Sequence, residues 1–285
     1  MYEVKAEMEN SIGFVILTWN SEKYISECLN SLIALCENGI SVTPIVIDNG
    51  SCDSTVQRVS QIFNTKNRFV DFKLFQLEKN YGTTVSRNMG IRYLLECQNR
   101  PNYICILDSD TVVNELAMNN LISVLKSDPS CGIVGPRMHD ANMVYQRSGR
   151  QIPTLTEKLL KVLPVKSLQE KGTAQEASIP EDGTGSIDVG YLMSACWMMR
   201  PDLFTQIGML DEKIFYAPED VDFCIRVWKA GLRVQYCYDA DILHHWQRLS
   251  RKKLFSKHNF EHLKGLAYLF WKHKYLFHTN TIQHK

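Results

Sequence analysis

Apolar and polar positions come in alternating blocks through the first half of the chain. SIGFVIL (11–17) is a nearly unbroken apolar run of strand length and predicts a buried strand. A polar turn, Thr18-Trp19-Asn20-Ser21, follows. Ile25, Cys28, Leu29, Leu32 and Ile33 then recur at helical spacing, with Ser21 as the N-cap. IVID (45–48) predicts a second strand, and Asp53 caps a helix reaching Phe63. VDFKLFQL (70–77) is the third strand, and Asn80-Tyr81-Gly82 breaks the chain before a helix through Leu95. YICIL (103–107) is the fourth strand, with a helix over 115–126. Strand and helix alternating in this way predict a parallel sheet covered on both faces.

Past Pro136 the periodicity fades. Leu155 to Leu168 forms one amphipathic piece, and 171–186 has the composition of a mobile loop. Regular signals return with YLMSACWMM (191–199) and a short helix after Pro201. A clear helix runs from Pro218 to Ala230, with proline at its start and Gly231 just past its end. VQYCYDADIL (234–243) predicts a strand, and 251–277 is a tail rich in Lys, His and aromatic residues. No internal repeat is visible.

Composition narrows the class. The 285 residues are 45% hydrophobic and 22% charged, which supports a sizeable globular core. Lys+Arg 32 against Asp+Glu 31 gives a formal charge of +1, against a nucleic-acid binder. The nine cysteines are odd in number and form no C-x-x-C pair. Cys28, Cys105, Cys196 and Cys224 sit in apolar runs, where reduced thiols pack as small hydrophobes. Zinc and disulfide scaffolds are therefore disfavoured, and a reducing cytosol is expected. The polar, acidic start MYEVKAEMENSIGF does not read as a signal peptide. The apolar stretch Gly265 to Trp271 is far too short to span a bilayer, so a soluble or peripheral protein is expected.

The candidate chemistry lies in two acidic segments. YICILDSD (103–110) ends in Asp108-Ser109-Asp110. Residues two apart at a strand end can point the same way, so both carboxylates could face one hard cation, Mn²⁺ or Mg²⁺. Such an ion neutralises charge building on a departing diphosphate. YAPEDVDF (216–223) puts Glu219-Asp220 in the first turn of a helix behind Pro218. The helix dipole alone favours acidic residues there, and Asp222 can then face solvent. The chemical alternative is a general base for an acceptor hydroxyl. His244-His245 follows a predicted strand and offers one imidazole to the metal site. Asp48, Asn80, Gly82 and Asp108 all end or follow strands, on the edge where such sheets bind ligands. Turns favour the same residue types. The tail interleaves Lys252, Lys253, Lys257, Lys264, Lys272 and Lys274 with aromatic and aliphatic residues. It suits a helix on an anionic membrane surface, or equally one docked on the domain.

FVILTWNSEKYISECLNSL, VIDNGSCDST, EKNYGTTVSRNMGI, ILDSD, SACWMMRPDLFTQIGMLDEKIFYAPEDVDFCIRVWKAG and ILHHW follow one another in an order and spacing that are highly specific. With them the chain resembles the inverting glycosyltransferases of family 2, particularly the rhamnosyltransferase-like branch of bacterial surface polysaccharide synthesis. The resemblance spans residues 12–250. It implies the α/β GT-A fold, a Rossmann-like, doubly wound, mostly parallel sheet with helices on both faces. One GT-A domain over 1–250 would comprise a nucleotide-sugar half (12–135) and an irregular acceptor half (136–250) with the loop near 171–186. The helical tail is 251–285.

Position by position, the resemblance puts Thr18 and Asn20 beside the nucleotide and Asp48 on its base. Ser51 and Asp53 support the same loop, and Asn80, Gly82, Arg87 and Asn88 flank the nucleotide diphosphate and base. Asp108 and Asp110 match the metal-binding pair, with Asp110 the more direct ligand and Ser109 between them at the nucleotide-sugar. Asp220 matches the catalytic base, and Glu219 helps place the acceptor. His244 or His245 matches a metal-ligating histidine, with His244 favoured. Two departures stand out: Ser194-Ala195-Cys196 where the family often has Gly-Ala-Cys, and Trp246-Gln247 in place of glycines after the histidine.

The implied activity is metal-dependent, inverting hexosyl transfer, with Mn²⁺ or Mg²⁺ as cofactor. The donor would be a dTDP- or UDP-sugar, dTDP-rhamnose among them, and the acceptor a hydroxyl of a glycan or lipid-linked oligosaccharide. The expected location is the cytoplasm or the cytoplasmic face of the inner membrane. One rival is a sugar nucleotidyltransferase, whose Gly-rich loop after strand one is missing from Thr18-Trp19-Asn20-Ser21. The other is a binding scaffold without catalysis, against which Asp108, Asp110 and Asp220 together argue.

Overall fold

Strand β1 (Ser11–Thr18) lies between β2 (Ser41–Asp48) and β4 (Tyr103–Asp108), parallel to both, and β3 (Lys73–Gln76) extends the sheet beyond β2. Parallel neighbours need crossovers. Helices α1 (Ile25–Glu37), α2 (Thr55–Thr65) and α3 (Thr83–Glu96) supply them. The register pairs Thr18 with Asp48 and Leu17 with Asp108, so three strand ends that carry polar residues lie side by side. The computed structural model describes residues 10–65, 68–162, 179–180, 182–246, 257–279 and 282.

Beyond β4 the sheet becomes mixed. Its order is β3-β2-β1-β4-β11-β6-β12-β5, where β11 (Cys196–Met199) runs antiparallel to β4 and β6 (Cys131–His139). Strand β12 (Arg233–His244) is parallel to β6, and the short β5 (Thr111–Val112) closes the far edge antiparallel to β12. Two small strands add to this sheet, β7 (Tyr145–Gln146) on β6 and β9 (Ser186–Asp188) on β12. A separate pair joins β8 (Gly149–Arg150) to β10 (Tyr191–Leu192). The remaining helices are α4 (Glu115–Ser127), α5 (Leu155–Val162), α6 (Asp202–Ile207), α7 (Glu219–Lys229) and α8 (Lys257–His273).

Alternation along the strands builds two cores. Ile12, Phe14 and Ile16 of β1 pack with Leu29 of α1 and Leu121 of α4 on one face. Val15 turns to the other, with Ile47, Ile91, Phe223 and Leu269. Burial on both faces is why these strands read as continuous apolar runs. Helix α3 lies close to the sheet because residue 90 is glycine. A Cβ there would stand 2.7 Å from Ile47 Cδ1 and 2.8 Å from Val15 Cγ1.

The secondary structure differs from the sequence expectations in four places. Ser21 does not cap α1: the cap position is Tyr24, and the Ser21 carbonyl accepts from the Tyr24 and Ile25 amides in a turn before the helix. The third strand is shorter than 70–77. The stretch 191–199 is split between two strands in different sheets. Strand β6 runs through Gly132, Gly135 and Pro136, which hid it. Pro136 pairs with Cys237 where the β12 register shifts, so its missing N–H costs little. Of the two expectations for the tail, its described part shows the docked one, with Leu266, Leu269, Phe270 and Tyr275 buried. The loop expected over 171–186 falls largely on residues outside the described set, as do Lys252, Lys253 and the side chain of Lys257; its last residue, Ser186, opens β9. All nine cysteines are free.

Candidate active site

The ends of β1 and β2 form a hydrogen-bonded frame. Asp48 is buried, with Oδ1 accepting from Thr18 Oγ1 at 2.8 Å and Oδ2 from the Ser51 amide at 2.9 Å. Ser51 Oγ also donates to Asp48 and accepts from the Asn20 amide. Asn20 Oδ1 in turn accepts from Cys52 N. Asp53 sits just ahead of α2, taking the Thr55 amide on Oδ1 and the Glu22 amide on Oδ2. Burial pushes the Asp53 carboxyl up, but the Thr55 hydroxyl, which also donates to it, and the two amides outweigh burial and hold it below its ordinary range.

Asn49 was not singled out by sequence reading, yet it ties this frame to the loop before α3. Its side chain donates to Asn80 Oδ1 and Gly82 O and accepts from the Tyr81 amide and Ser86 Oγ. Gly82 has φ +90°, and a Cβ on it would run into the Phe215 carbonyl, so the loop needs glycine here. Asn88 goes elsewhere. It is fully buried and bonds Leu210 through both its amide groups, and Glu212 as well, fastening the 208–212 segment rather than facing a cleft.

A cleft of about 340 Å³ opens at the strand ends, lined by Trp19, Arg87, Asp108, Asp110, Asp220 and His244 among others. Asp110 reaches His244 because the chain leaves β4 through Ser109, crosses to the far edge and pairs as β5, with Thr111 opposite His244. The His245 amide donates to Asp110 O at 2.9 Å. One carboxylate oxygen each from Asp108 and Asp110 and a ring nitrogen of His244 lie within 4.8 Å of one another. His244 Nε2 is 3.4 Å from Asp110 Oδ1. His245 is not part of this cluster. It stacks on Tyr24 and bonds Glu27 at 2.9 Å, so of the tandem it is the His244 ring that faces the two carboxylates. Ser109 faces inward too, donating to Ser21 Oγ.

Two carboxylates and one imidazole suit Mn²⁺ or Mg²⁺, with the nitrogen ligand favouring the softer Mn²⁺. Burial opposes a charge on His244, but the Asp110 hydrogen bond and the Asp110 and Asp108 charges outweigh it and raise its pKa. Burial also raises the Asp108 carboxyl, against the pull of Arg87, with the Asp110 charge adding to the rise. Asp108 and His244, perturbed together in a cleft, mark a place built to hold positive charge.

Arg87 links the two acidic segments. It is buried, and Nη2 donates to Asp108 Oδ1 at 2.6 Å and to Ser194 O at 3.2 Å, while Nη1 reaches Glu219 Oε1 at 3.1 Å. Ser194 Oγ donates to the same Glu219 oxygen at 2.9 Å. The serine hydroxyl thus has a structural partner that a glycine could not supply. Burial pushes Glu219 up to about 7, the Asp220 charge adding to this and Arg87 opposing it. Asp220 is half-buried at the cleft wall. Its pKa is raised by burial, against the Val221 amide and the charges of Arg150, Lys158 and Arg87.

Comparison with known proteins agrees with this geometry. The family model for glycosyl transferase family 2 matches residues 14–208. The chain belongs to glycosyl transferase family 2. It is 27% identical over 248 residues to the N-acetylglucosaminyl-diphospho-decaprenol L-rhamnosyltransferase of Mycobacterium tuberculosis, covering 84% of this chain and 77% of that protein. To the dTDP-rhamnosyl transferase RfbF of Shigella flexneri it is 24% identical over 241 residues, 83% of this chain and 70% of the relative. Among solved structures, the mannosyltransferase PcManGT from Pyrobaculum calidifontis, in complex with GDP-Man and Mn²⁺, superposes with a TM-score of 0.59 at 15% identity. That match covers 92% of this chain and 64% of the other, so the chain spans just under two thirds of its length. The fold is GT-A, and the protein is a rhamnosyltransferase-like glycosyltransferase.

Proposed function

We propose that this glycosyltransferase moves a hexose, with inversion, from a dTDP- or UDP-sugar to a hydroxyl of a lipid-linked glycan during surface polysaccharide assembly. Residues 12–135 would bind the donor and 136–250 the acceptor. The observation that carries the proposal is one cleft with two separate acidic functions, the Asp108–Asp110–His244 cluster and Asp220, braced by Arg87. Asp220 accepts the proton of the acceptor hydroxyl, and that oxygen attacks the anomeric carbon opposite the departing diphosphate. Arg87 holds Asp108 and Glu219 at fixed separation, and the frame around Asp48 receives the base. Mn²⁺ or Mg²⁺ held by Asp108, Asp110 and His244 would neutralise charge on the leaving group. dTDP-rhamnose leads the donor candidates because two relatives are named for rhamnosyl transfer.

A panel of nucleotide-sugars with Mn²⁺ or Mg²⁺, read by nucleoside diphosphate release with and without acceptors, tests this reading. Acceptor-dependent release from one donor is expected. Asp110→Asn should weaken both Mn²⁺ binding and release by more than ~100-fold, since even residues behind the ligands are worth 10–100-fold in such sites. Synthesis of the nucleotide-sugar from a sugar phosphate would point instead to a nucleotidyltransferase. No turnover of any donor would point to a scaffold.

A lipid-borne acceptor brings the enzyme to a membrane, and we assign that contact to the outer face of α8. Trp271 on the helix and Leu276 and Phe277 just past its end are exposed near Lys274, along a groove of about 770 Å³ that Leu155 and Phe270 also line. No helix among the described residues is long and apolar enough to cross a membrane. Deleting the tail would remove core residues along with the exposed ones, so point changes are the better probe. Replacing Trp271 and Phe277 together by Ser should reduce sedimentation with anionic phospholipid vesicles by ~10-fold or more, given the apolar area each ring buries. Unchanged vesicle binding would refute the contact.

A further inference from the structure

We infer that Gln146 is a positioning residue that fixes the tautomer of His244 and so leaves the nitrogen facing Asp110 free to bind metal. The inference rests on the metal-site reading above. Gln146 belongs to β7, opposite Met138 of β6, and its side chain is buried. Its Nε2 donates to the His244 carbonyl at 2.8 Å. A peptide carbonyl can only accept, so this bond decides which way the amide points. Oε1 is thereby turned to His244 Nδ1, at 2.7 Å.

An amide oxygen can also only accept, so Nδ1 must carry a proton. In the neutral ring that leaves a lone pair on Nε2, the nitrogen 3.4 Å from Asp110 Oδ1. Without Gln146 the proton could sit on Nε2 instead and donate to Asp110. A single tautomeric shift would then occupy two of the three candidate ligands. A side chain that takes the distal N–H of a ligating histidine is the usual means of preventing this. Here the same side chain also clamps the backbone of His244, so ring identity and ring position are fixed together.

The experiment has two arms. In metal-free wild-type protein with ¹⁵N-histidine, in mildly alkaline buffer, NMR reads which ring nitrogen of His244 bears the proton, assigned by loss of its signals in His244→Asn. Protonated Nδ1 is expected, whether or not Nε2 also bears a proton; a bare Nδ1 overturns the inference, and this arm needs no variant at position 146. In the second arm, the EPR signal of free Mn²⁺ reports affinity for wild type, Gln146→Met and Gln146→Glu. Met, close in size but without an acceptor, should bind Mn²⁺ 10–100-fold more weakly. Glu keeps an oxygen at Nδ1 and should stay nearer wild type, a split that a merely space-filling residue would not produce. Equal affinity of all three overturns the role of Gln146 while leaving the metal site standing. A wild type that binds no Mn²⁺ overturns the metal-site reading, and the tautomer measurement then judges the Gln146–His244 bond alone.

Discussion

Asp220→Asn is expected to slow sugar transfer by roughly 10²–10⁴-fold, the usual contribution of a general base, while Mn²⁺ and nucleoside diphosphate binding stay within a few-fold. The amide matches the carboxylate in shape and can still accept from the Val221 amide, which holds Asp220 Oδ1 at 2.8 Å. Helix α7 therefore keeps its first turn, and only basicity is lost. Glu219 is a poor substitute. It is buried, and its Oε1 already accepts from both Arg87 and Ser194. The candidate metal ligands Asp108, Asp110 and His244 come from the ends of β4 and β12 and the turn before β5, so they should not register the change. In steady state the loss should fall on kcat with donor KM nearly unchanged, as for an interaction made only in the transition state. Near-normal transfer by the variant would sink the assignment of Asp220 as base.

The parallel half was legible because its information is local. Burial on both faces makes β1, β2 and β4 continuous apolar runs, and polar residues at their ends mark the ligand edge. Asp48 and Asp108 could be placed on that edge from the chain alone. The mixed half was not, because it depends on pairings that no short-range period reports. Strand β5 is two residues long, yet its pairing with β12 is what brings Asp110 to His244. Nothing in the tandem His244-His245 says which ring turns inward; the answer is set by Glu27 and Tyr24 on α1 and the turn before it. Asn49 and Gln146 resemble ordinary loop and edge residues, and their hydrogen bonds span 31 to 98 positions in sequence. Arg87, which the resemblance puts in the segment flanking the nucleotide diphosphate, lines the cleft and also bridges two of the protein's own carboxylates.

Asp222 offers the sharpest stability test, and its setting reverses the expectation that it faces solvent. It is fully buried on α7, accepting from His273 Nε2 at 2.8 Å, Lys272 Nζ at 2.6 Å and Arg226 Nε at 3.1 Å. Lys272 also pairs with Asp211, which accepts from Tyr268, so the cluster fastens α8 to the helix that carries Asp220. Lys229 lies 3.2 Å from His273 Nδ1 and can only donate to it, which leaves the His273 proton on Nε2, toward Asp222. Burial raises the Asp222 carboxyl, but the His273 bond and the charges of Arg226 and Lys272 outweigh it and hold it down at about 2, against an ordinary 3.8. A lowered folded-state pKa stabilises above the ordinary value and is lost as pH falls through the folded one. Asp222 should thus contribute ~2.5 kcal/mol near neutrality, fading between about pH 4 and pH 2. Asp222→Asn should cost more, about 3–5 kcal/mol, because both carboxylate oxygens accept from donors and the amide must turn its own NH₂ toward one of them, which a protonated carboxyl need not do. Denaturant unfolding across that pH range is the measurement. The variant should start lower and show a shallower acid decline than wild type. Equal stability near neutrality, or an unchanged acid slope, would show that α8 is held by its apolar contacts alone.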